Sequence, residues 1–258
     1  MRRFLPLLLL LAACSRAPQR LVLGTTTSMQ GSGLLAIVVR EFEHDTHIQV
    51  QPLVVGSGQA LRLAGKSEVD VTITHDPVPE RAFVASGKSE LYRQFMWNDF
   101  IIAGPRDDPA DVAHATSARD AFRRIAAAEA RFASRNDESG THAKELALWN
   151  AAGIAPQSNP HYMKLGQPMA QLLRSASELR AYTLSDRATF DQLSRSIDLA
   201  LLYSGDPALR NVYALTVVKG AHERDNARRF ASWLLRGRGR DLIAGYRIHG
   251  KPAFHLIQ

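Results

Sequence analysis

An apolar run ends abruptly in hydroxyls and glycines in the stretch Leu21-Val22-Leu23-Gly24-Thr25-Thr26-Thr27-Ser28-Met29-Gln30-Gly31-Ser32-Gly33. Apolar residues then recur at helical spacing from Leu34 to Phe42. Unpaired backbone N–H groups and the positive end of the dipole at such a helix start favour a bound anion. We interpret the turn as one wall of an oxyanion site, with a solvated, capped turn as the alternative. The candidate residues are Thr25, Thr26, Thr27 and Ser28.

The same arrangement of strand, glycine-hydroxyl turn and helix occurs a second time. Residues 48–55 form a predicted strand that ends in Gly56-Ser57-Gly58, where a second helix opens. A third strand at 69–74 and a short helix at 79–85 follow. This alternation predicts an α/β fold on a parallel sheet, in which ligands bind at the carboxyl ends of the strands. Ser57 is therefore expected beside the first hydroxyl cluster.

A second candidate wall lies in the stretch Arg135-Asn136-Asp137-Glu138-Ser139-Gly140-Thr141-His142. Arg135 ends a predicted short strand, and Ser139 and Thr141 open the next helix. A guanidinium offers a planar fork of donors to an oxyanion and keeps its charge. The alternative is that Arg135 forms a surface pair with Asp137 or Glu138.

Several motifs occur in a fixed order along almost all of the chain after its leader. They are Thr25-Thr26-Thr27-Ser28 with Ser32-Gly33-Leu34-Leu35, Val55-Gly56-Ser57-Gly58-Gln59-Ala60, Asp70-Val71, Asn98-Asp99-Phe100, Ser134 to His142 with Lys144-Glu145, and Tyr182-Thr183-Leu184-Ser185-Asp186-Arg187. Together they closely resemble the motifs of the tungstate-binding, substrate-binding proteins of ABC importers.

The resemblance implies a periplasmic binding protein of type II-like fold, with two α/β lobes joined by a hinge. Each lobe is expected to hold a mainly parallel sheet flanked by helices. We predict that residues 21–98 and 209–258 form lobe I and that residues 99–208 form lobe II. Tungstate is expected in the cleft between them, and the permease subunits of the importer are the implied partner.

The family's anion contacts fall here on the hydroxyl motif Thr25 to Ser28, on Ser57, and on Arg135 and Thr141, with Ser139 as a further donor beside them. The family often has glycine after the arginine, where this chain has Asn136. Asparagine tolerates a left-handed backbone better than most residues, so we expect the loop to keep its shape.

The N-terminus reads as an export signal. Residues 1–13 combine Arg2 and Arg3 with an apolar stretch and small residues, typical of a signal peptide. The only cysteine, Cys14, follows Leu11-Ala12-Ala13, which resembles a bacterial lipobox, so residues 14–20 are expected to be a lipidated tether. An ordinary secretory signal is the alternative. The protein is expected to be periplasmic and anchored to the membrane.

The net charge and the motifs of the sequence bear on three other functions: nucleic-acid binding, ester hydrolysis and the binding of other oxyanions. Without Arg2 and Arg3 the formal charge falls from +7 to +5, and no nucleic-acid-reading motif is present, so we expect no nucleic acid as a partner. We also expect a monomer without a cofactor. His142 near Ser139 suggests a secreted serine hydrolase, but no Gly-x-Ser-x-Gly elbow surrounds either residue. Molybdate, sulfate and phosphate remain alternative ligands. A proton-free dianion such as tungstate needs donors only, whereas phosphate needs an acceptor for its proton.

Overall fold

The computed structural model describes residues 19–257. The predicted signal peptide 1–13, Cys14 and most of the predicted tether lie outside the described residues. Within 19–257, none of the helices combines the length and the apolar character that crossing a membrane requires.

The first part of the chain alternates strands and helices, as the sequence predicts. The elements are β1 (Arg20–Thr26), α1 (Thr27–Gly31), α2 (Leu34–Thr46), β2 (Gln49–Val55), α3 (Ser57–Gly65), β3 (Val71–Thr74) and α4 (Pro77–Ala85). β1 is longer than the predicted Leu21–Leu23, because Thr25 and Thr26 continue its ladder opposite Val54 and Val55. Threonine is β-branched and suits a strand as well as a turn.

The rest of the chain begins with one long strand and continues through shorter elements. These are β4 (Ser89–Gly104), α5 (Ala118–Ala127), β5 (Phe132–Ser134), α6 (Gly140–Ala152), β6 (Tyr162–Lys164), α7 (Met169–Glu178), β7 (Thr183–Asp186), α8 (Arg187–Leu193), β8 (Ala200–Tyr203), β9 (Arg210–Val218), α9 (Arg224–Arg236), α10 (Arg238–Gly245), β10 (Arg247–Ile248), β11 (Lys251–Pro252) and β12 (His255–Leu256). Ser117 caps α5 and Asp186 caps α8, since each side chain accepts a hydrogen bond from a backbone N–H of its helix.

The α/β architecture is present, but the sheets are mixed where mainly parallel ones were predicted. The main path runs β12-β4-β9-β3-β1-β2. β1 is parallel to β2 and β3, whereas β9 is antiparallel to β3 and β4. β5 is parallel to β6, whereas β4 is antiparallel to β7 and β8. β4 extends from the first half of the molecule into the second, and β9 lies beside its first part in the opposite direction, so the sheets contain antiparallel pairs as well as parallel ones.

β4 links two groups of elements. Ser89–Asp99 pairs with β9, and Phe100–Gly104 pairs with β7 and β8. The return connection enters β9 at Arg210, opposite Asp99. The chain therefore passes between the groups at two adjacent points.

Each group has its own apolar core. In the first, Phe42 packs edge-on against Phe230 with ring centroids 5.0 Å apart. In the second, Phe122 packs edge-on against Trp149 at 4.7 Å. Two separate cores allow two units that each keep their shape while the angle between them changes.

Candidate functional site

The first hydroxyl cluster lies where β1 passes into α1. The Thr26 Oγ1 accepts a hydrogen bond from Met29 N at 3.3 Å and so caps α1. Thr25 is fully buried, and its hydroxyl donates to the carbonyl of Ile73 at 3.2 Å. The hydroxyl of Thr25 is therefore used within the sheet, while Thr27 and Ser28 begin the helix.

Ser57 begins α3 at the end of the neighbouring strand. It is fully buried, and its Oγ accepts a hydrogen bond from His75 N at 3.2 Å. A hydroxyl that accepts one bond still has its own proton to donate. Ser57 is therefore a free donor toward the carboxyl ends of the strands.

Arg135 follows β5 and is 1% exposed. Its Nη2 donates to Thr27 Oγ1 at 3.0 Å, and its Nε donates to Asp137 Oδ2 at 3.0 Å. The pair with Asp137, predicted as the alternative, is thus present, but its Arg135 side is buried while Asp137 is partly exposed, and it fixes the guanidinium plane. The bond to Thr27 joins the two predicted walls directly.

The loop after Arg135 leads into α6. Asn136 has a φ of 43°, so the left-handed backbone expected of it is confirmed. Ser139 Oγ accepts a hydrogen bond from His142 N at 3.2 Å and caps the helix, and Thr141 is buried in its first turn.

The turns of the two walls are in van der Waals contact. A Cβ built on Gly56 would lie 3.6 Å from Ser139 Cα, and one built on Gly140 would lie 2.9 Å from the ring of His75. The structure therefore brings Thr27, Ser28, Ser57 and Arg135 together with the start of α6. Six of the eight predicted residues lie on these turns, whereas Thr25 and Thr26 end β1 and the Thr25 hydroxyl donates within the sheet.

Several polar atoms at this junction are buried without a partner. Among residues 19–257 they include Ser28 Oγ, Arg135 Nη1 and Thr141 Oγ1, and also His75 Nδ1 and Asp186 Oδ2. A buried polar group without a hydrogen bond is unfavourable by about 1–3 kcal/mol. Such groups meeting from both walls indicate the position of a polar ligand.

His75 and Asp186 were not predicted as site residues. Burial, together with the nearby Arg135 charge, lowers the pKa of His75 to about 3, so its ring is neutral. Burial raises the pKa of Asp186. One signal was available in the sequence: His75 directly follows β3 and Asp186 ends β7, and such strand ends are where ligands bind.

The arrangement suits anion binding and does not form a hydrolase site. His142 Nδ1 accepts a hydrogen bond from Glu138 N at 3.3 Å, while the Ser139 hydroxyl caps α6. The ring of His142 is therefore not placed as a base for Ser139. In the described part of the chain, no three His, Cys, Asp or Glu side chains gather as a metal site.

A sequence model of the PBP superfamily domain matches residues 13–238. The chain belongs to the PBP superfamily. The tungstate-binding protein TupA of Peptoclostridium acidaminophilum is 35% identical over 248 residues, which cover 93% of this chain and 86% of that protein.

Two solved structures resemble this PBP superfamily chain along nearly its full length. The tungstate ABC transporter protein of Geobacter sulfurreducens is 39% identical, covers 90% of this chain and 100% of that chain, and has a TM-score of 0.80. The tungstate-binding protein TupA of Desulfovibrio alaskensis is 35% identical, covers 93% and 99%, and has a TM-score of 0.79. The predicted fold is confirmed, as is the prediction of a solute-binding protein that is not an enzyme.

Proposed function

We propose that this chain captures tungstate in the cleft between its two lobes and delivers it to the permease of an ABC importer. The relatives named as tungstate-binding proteins support the ligand. The observation that carries the proposal is the set of buried, unpartnered donors that meet from both walls: Ser28 Oγ, Arg135 Nη1 and Thr141 Oγ1.

In this proposal each lobe supplies part of the anion's coordination. Thr27, Ser28 and Ser57 donate from one side, and Arg135 and Thr141 donate from the other. The remaining predicted residues, Thr25, Thr26 and Ser139, make hydrogen bonds that hold the two turns in place. They contribute mainly by fixing where the donors point.

The proposed lobes are residues 21–98 with 209–258, and 99–208. The proposed hinge is formed by β4 at Asp99–Phe100 and by β9 at Arg210, where strand pairing changes from one group of elements to the other. Because an anion held between the lobes contacts both, it binds the closed form more tightly and shifts the population toward it. The permease then recognises the closed form.

The protein acts outside the cytoplasm in this proposal. The signal peptide at 1–13 directs export, and lipidation of Cys14 would anchor the monomeric protein near its permease. Both segments lie outside the described residues, and the lipobox-like sequence before Cys14 supports the anchor.

Calorimetry of the chain from residue 15 onward, with tungstate, molybdate, sulfate and phosphate in turn, tests this function. We expect tungstate to bind and phosphate to bind at least about tenfold more weakly, because the phosphate proton meets another donor. Tighter binding of phosphate, or no binding of any of the four anions, would refute the proposal.

A further inference from the structure

One acidic side chain lies within the proposed anion site and the function described above does not use it. Asp186 is fully buried at the junction of β7 and α8. Its Oδ1 accepts a hydrogen bond from Thr189 N at 2.9 Å, and its Oδ2 is buried without a partner. The hydroxyls of Ser28 and Thr189 lie near the carboxyl and lower its pKa, but neither has hydrogen-bond geometry with Oδ2.

The neighbouring charges do not compensate an ionised Asp186. Arg135 is the nearest cation, but two of its nitrogens contact Asp137. Arg187 pairs with Asp99 at 3.6 Å, and Tyr213 is a neutral phenol. The other ionisable side chains on elements packed against β7 and α8 are Glu90, Tyr92, Arg93, His142, Lys144, Glu145, Arg174, Glu178 and Arg247.

None of those nine groups makes an ion pair with Asp186 in the described part of the chain, and α1 carries no ionisable side chain. A carboxylate at this position would be unpaired, buried and close to a bound dianion, and each of these conditions favours the protonated form.

We infer that Asp186 is a specificity-determining residue of the anion site, which closes as a neutral carboxylic acid and donates its O–H from Oδ2 to an oxygen of the anion. This inference rests on the proposed function. The inference requires that opening of the cleft exposes the carboxyl to water, where an aspartate is ionised at neutral pH. Closure on one anion therefore takes up one proton from the buffer, and no covalent bond changes.

The proton on Asp186 also decides which anion is preferred. When protonated, the carboxyl is one more donor and suits an oxyanion without protons, such as tungstate. When ionised, it becomes an acceptor that repels a dianion but can accept the proton of hydrogen phosphate. The ratio of the affinity for tungstate to the affinity for phosphate should therefore decrease as the pH rises.

The experiment is calorimetry with tungstate in buffers of different ionisation enthalpy, which gives the number of protons taken up. Between about pH 6 and pH 8 we expect wild type to take up protons when it binds tungstate, and its affinity to fall as the pH rises, by at most about tenfold per pH unit. Asp186→Asn should bind tungstate without proton uptake and with constant affinity, because an amide donates but does not ionise. Asparagine also caps a helix well, so α8 is retained.

Asp191→Asn is the matched control. Asp191 is a half-buried aspartate on the same helix, and burial raises its pKa as well, so this variant should keep the wild-type proton uptake. Tungstate binding by wild type without proton uptake, or equal uptake in wild type and Asp186→Asn, would overturn the inference and leave the function intact. If Asp186→Asn does not fold, the number of protons that wild type takes up on binding tungstate is the test of the inference. Absence of tungstate binding at every pH would instead refute the proposed function.

Discussion

At the scale of single residues, the site depends on the hydrogen-bond partners of the buried Arg135 guanidinium. Asp137 holds the guanidinium plane on one side, and Thr27 of the other group of elements accepts from Nη2. This leaves Nη1 buried and free for an anion. A guanidinium fixed in this way loses little further entropy when a ligand binds.

Arg135→Lys tests the need for the guanidinium fork. Lysine keeps the charge opposite Asp137, so we expect the fold to be retained, but its ammonium cannot reach Asp137, Thr27 and the anion in the same plane. Tungstate affinity should fall by about 2 kcal/mol, or about thirtyfold, in calorimetry. Arg62→Ala, which removes an exposed partner 3.9 Å from Glu138, is the control and should change little. Affinity within about twofold of wild type for Arg135→Lys would contradict this role.

Glu145 gives a stability prediction. It is 2% exposed, Tyr162 donates to it at 2.7 Å, and burial raises its pKa from 4.5 to about 7. Between these pH values the folded state binds more protons than the unfolded state, so the free energy of unfolding falls as pH rises. Over that window wild type should lose up to about 3 kcal/mol relative to Glu145→Gln, which cannot titrate.

Urea denaturation at stepped pH measures the Glu145 effect. His75 has a lowered pKa, so its protonation in acid lowers the free energy of unfolding. Because His75 is present in both proteins, its contribution cancels in the difference between their free energies of unfolding. A difference between the two proteins that does not change with pH would show that Glu145 is already ionised in the folded state.

The sequence analysis assigned the hydroxyl turns and Arg135 to the proposed anion site, because glycines, hydroxyls and a charge between apolar runs are local signals. It did not predict His75 and Asp186 as site residues. Their significance comes from burial against distant segments: Gly140 against His75, and Arg135 and Ser28 beside Asp186. Local sequence does not encode such tertiary burial.

At the scale of elements, the start of α6 packs against the end of β3. A Cβ on Gly140 would lie 2.9 Å from His75 Nδ1 and 3.1 Å from its backbone oxygen, which cannot move aside as a side chain can. The close approach of the two walls therefore needs a residue without a side chain at the first position of α6.

Gly140→Ala should hold the walls apart and weaken tungstate binding by at least about tenfold. The melting temperature should stay close to that of wild type, since alanine favours a helix over glycine. Gly245→Ala at the end of α10 is the matched control, because a Cβ there meets nothing within 4 Å. Calorimetry of both variants measures their tungstate affinity, and thermal denaturation measures their melting temperature. If Gly140→Ala binds tungstate as tightly as wild type, the two walls need not approach so closely.

The local pattern of strands and helices predicted some strand pairings but not the direction of others. The alternation of strands and helices predicted β1, β2 and β3 as parallel neighbours of one sheet, and β1 does pair in parallel with both of the others. It did not predict that β9 lies antiparallel beside β3. The direction of a strand that returns after more than a hundred residues depends on the whole topology, which no local signal fixes.

At the scale of the whole molecule, the chain forms two groups of elements with separate cores, joined at β4 and β9. The site lies where the turns of both groups meet, so neither group alone holds all the donors. In the proposed function, binding and closure are therefore one event, and a permease that recognises the closed form would distinguish loaded from empty protein.

Crystals grown with tungstate, measured with X-rays at a tungsten absorption edge, test this account most directly. We expect one strong anomalous peak between the walls, within hydrogen-bond distance of Ser28, Ser57, Arg135 and Thr141. A peak elsewhere on the molecule, or none in crystals of protein saturated with tungstate, would contradict the central claim that the ligand is held between the two lobes.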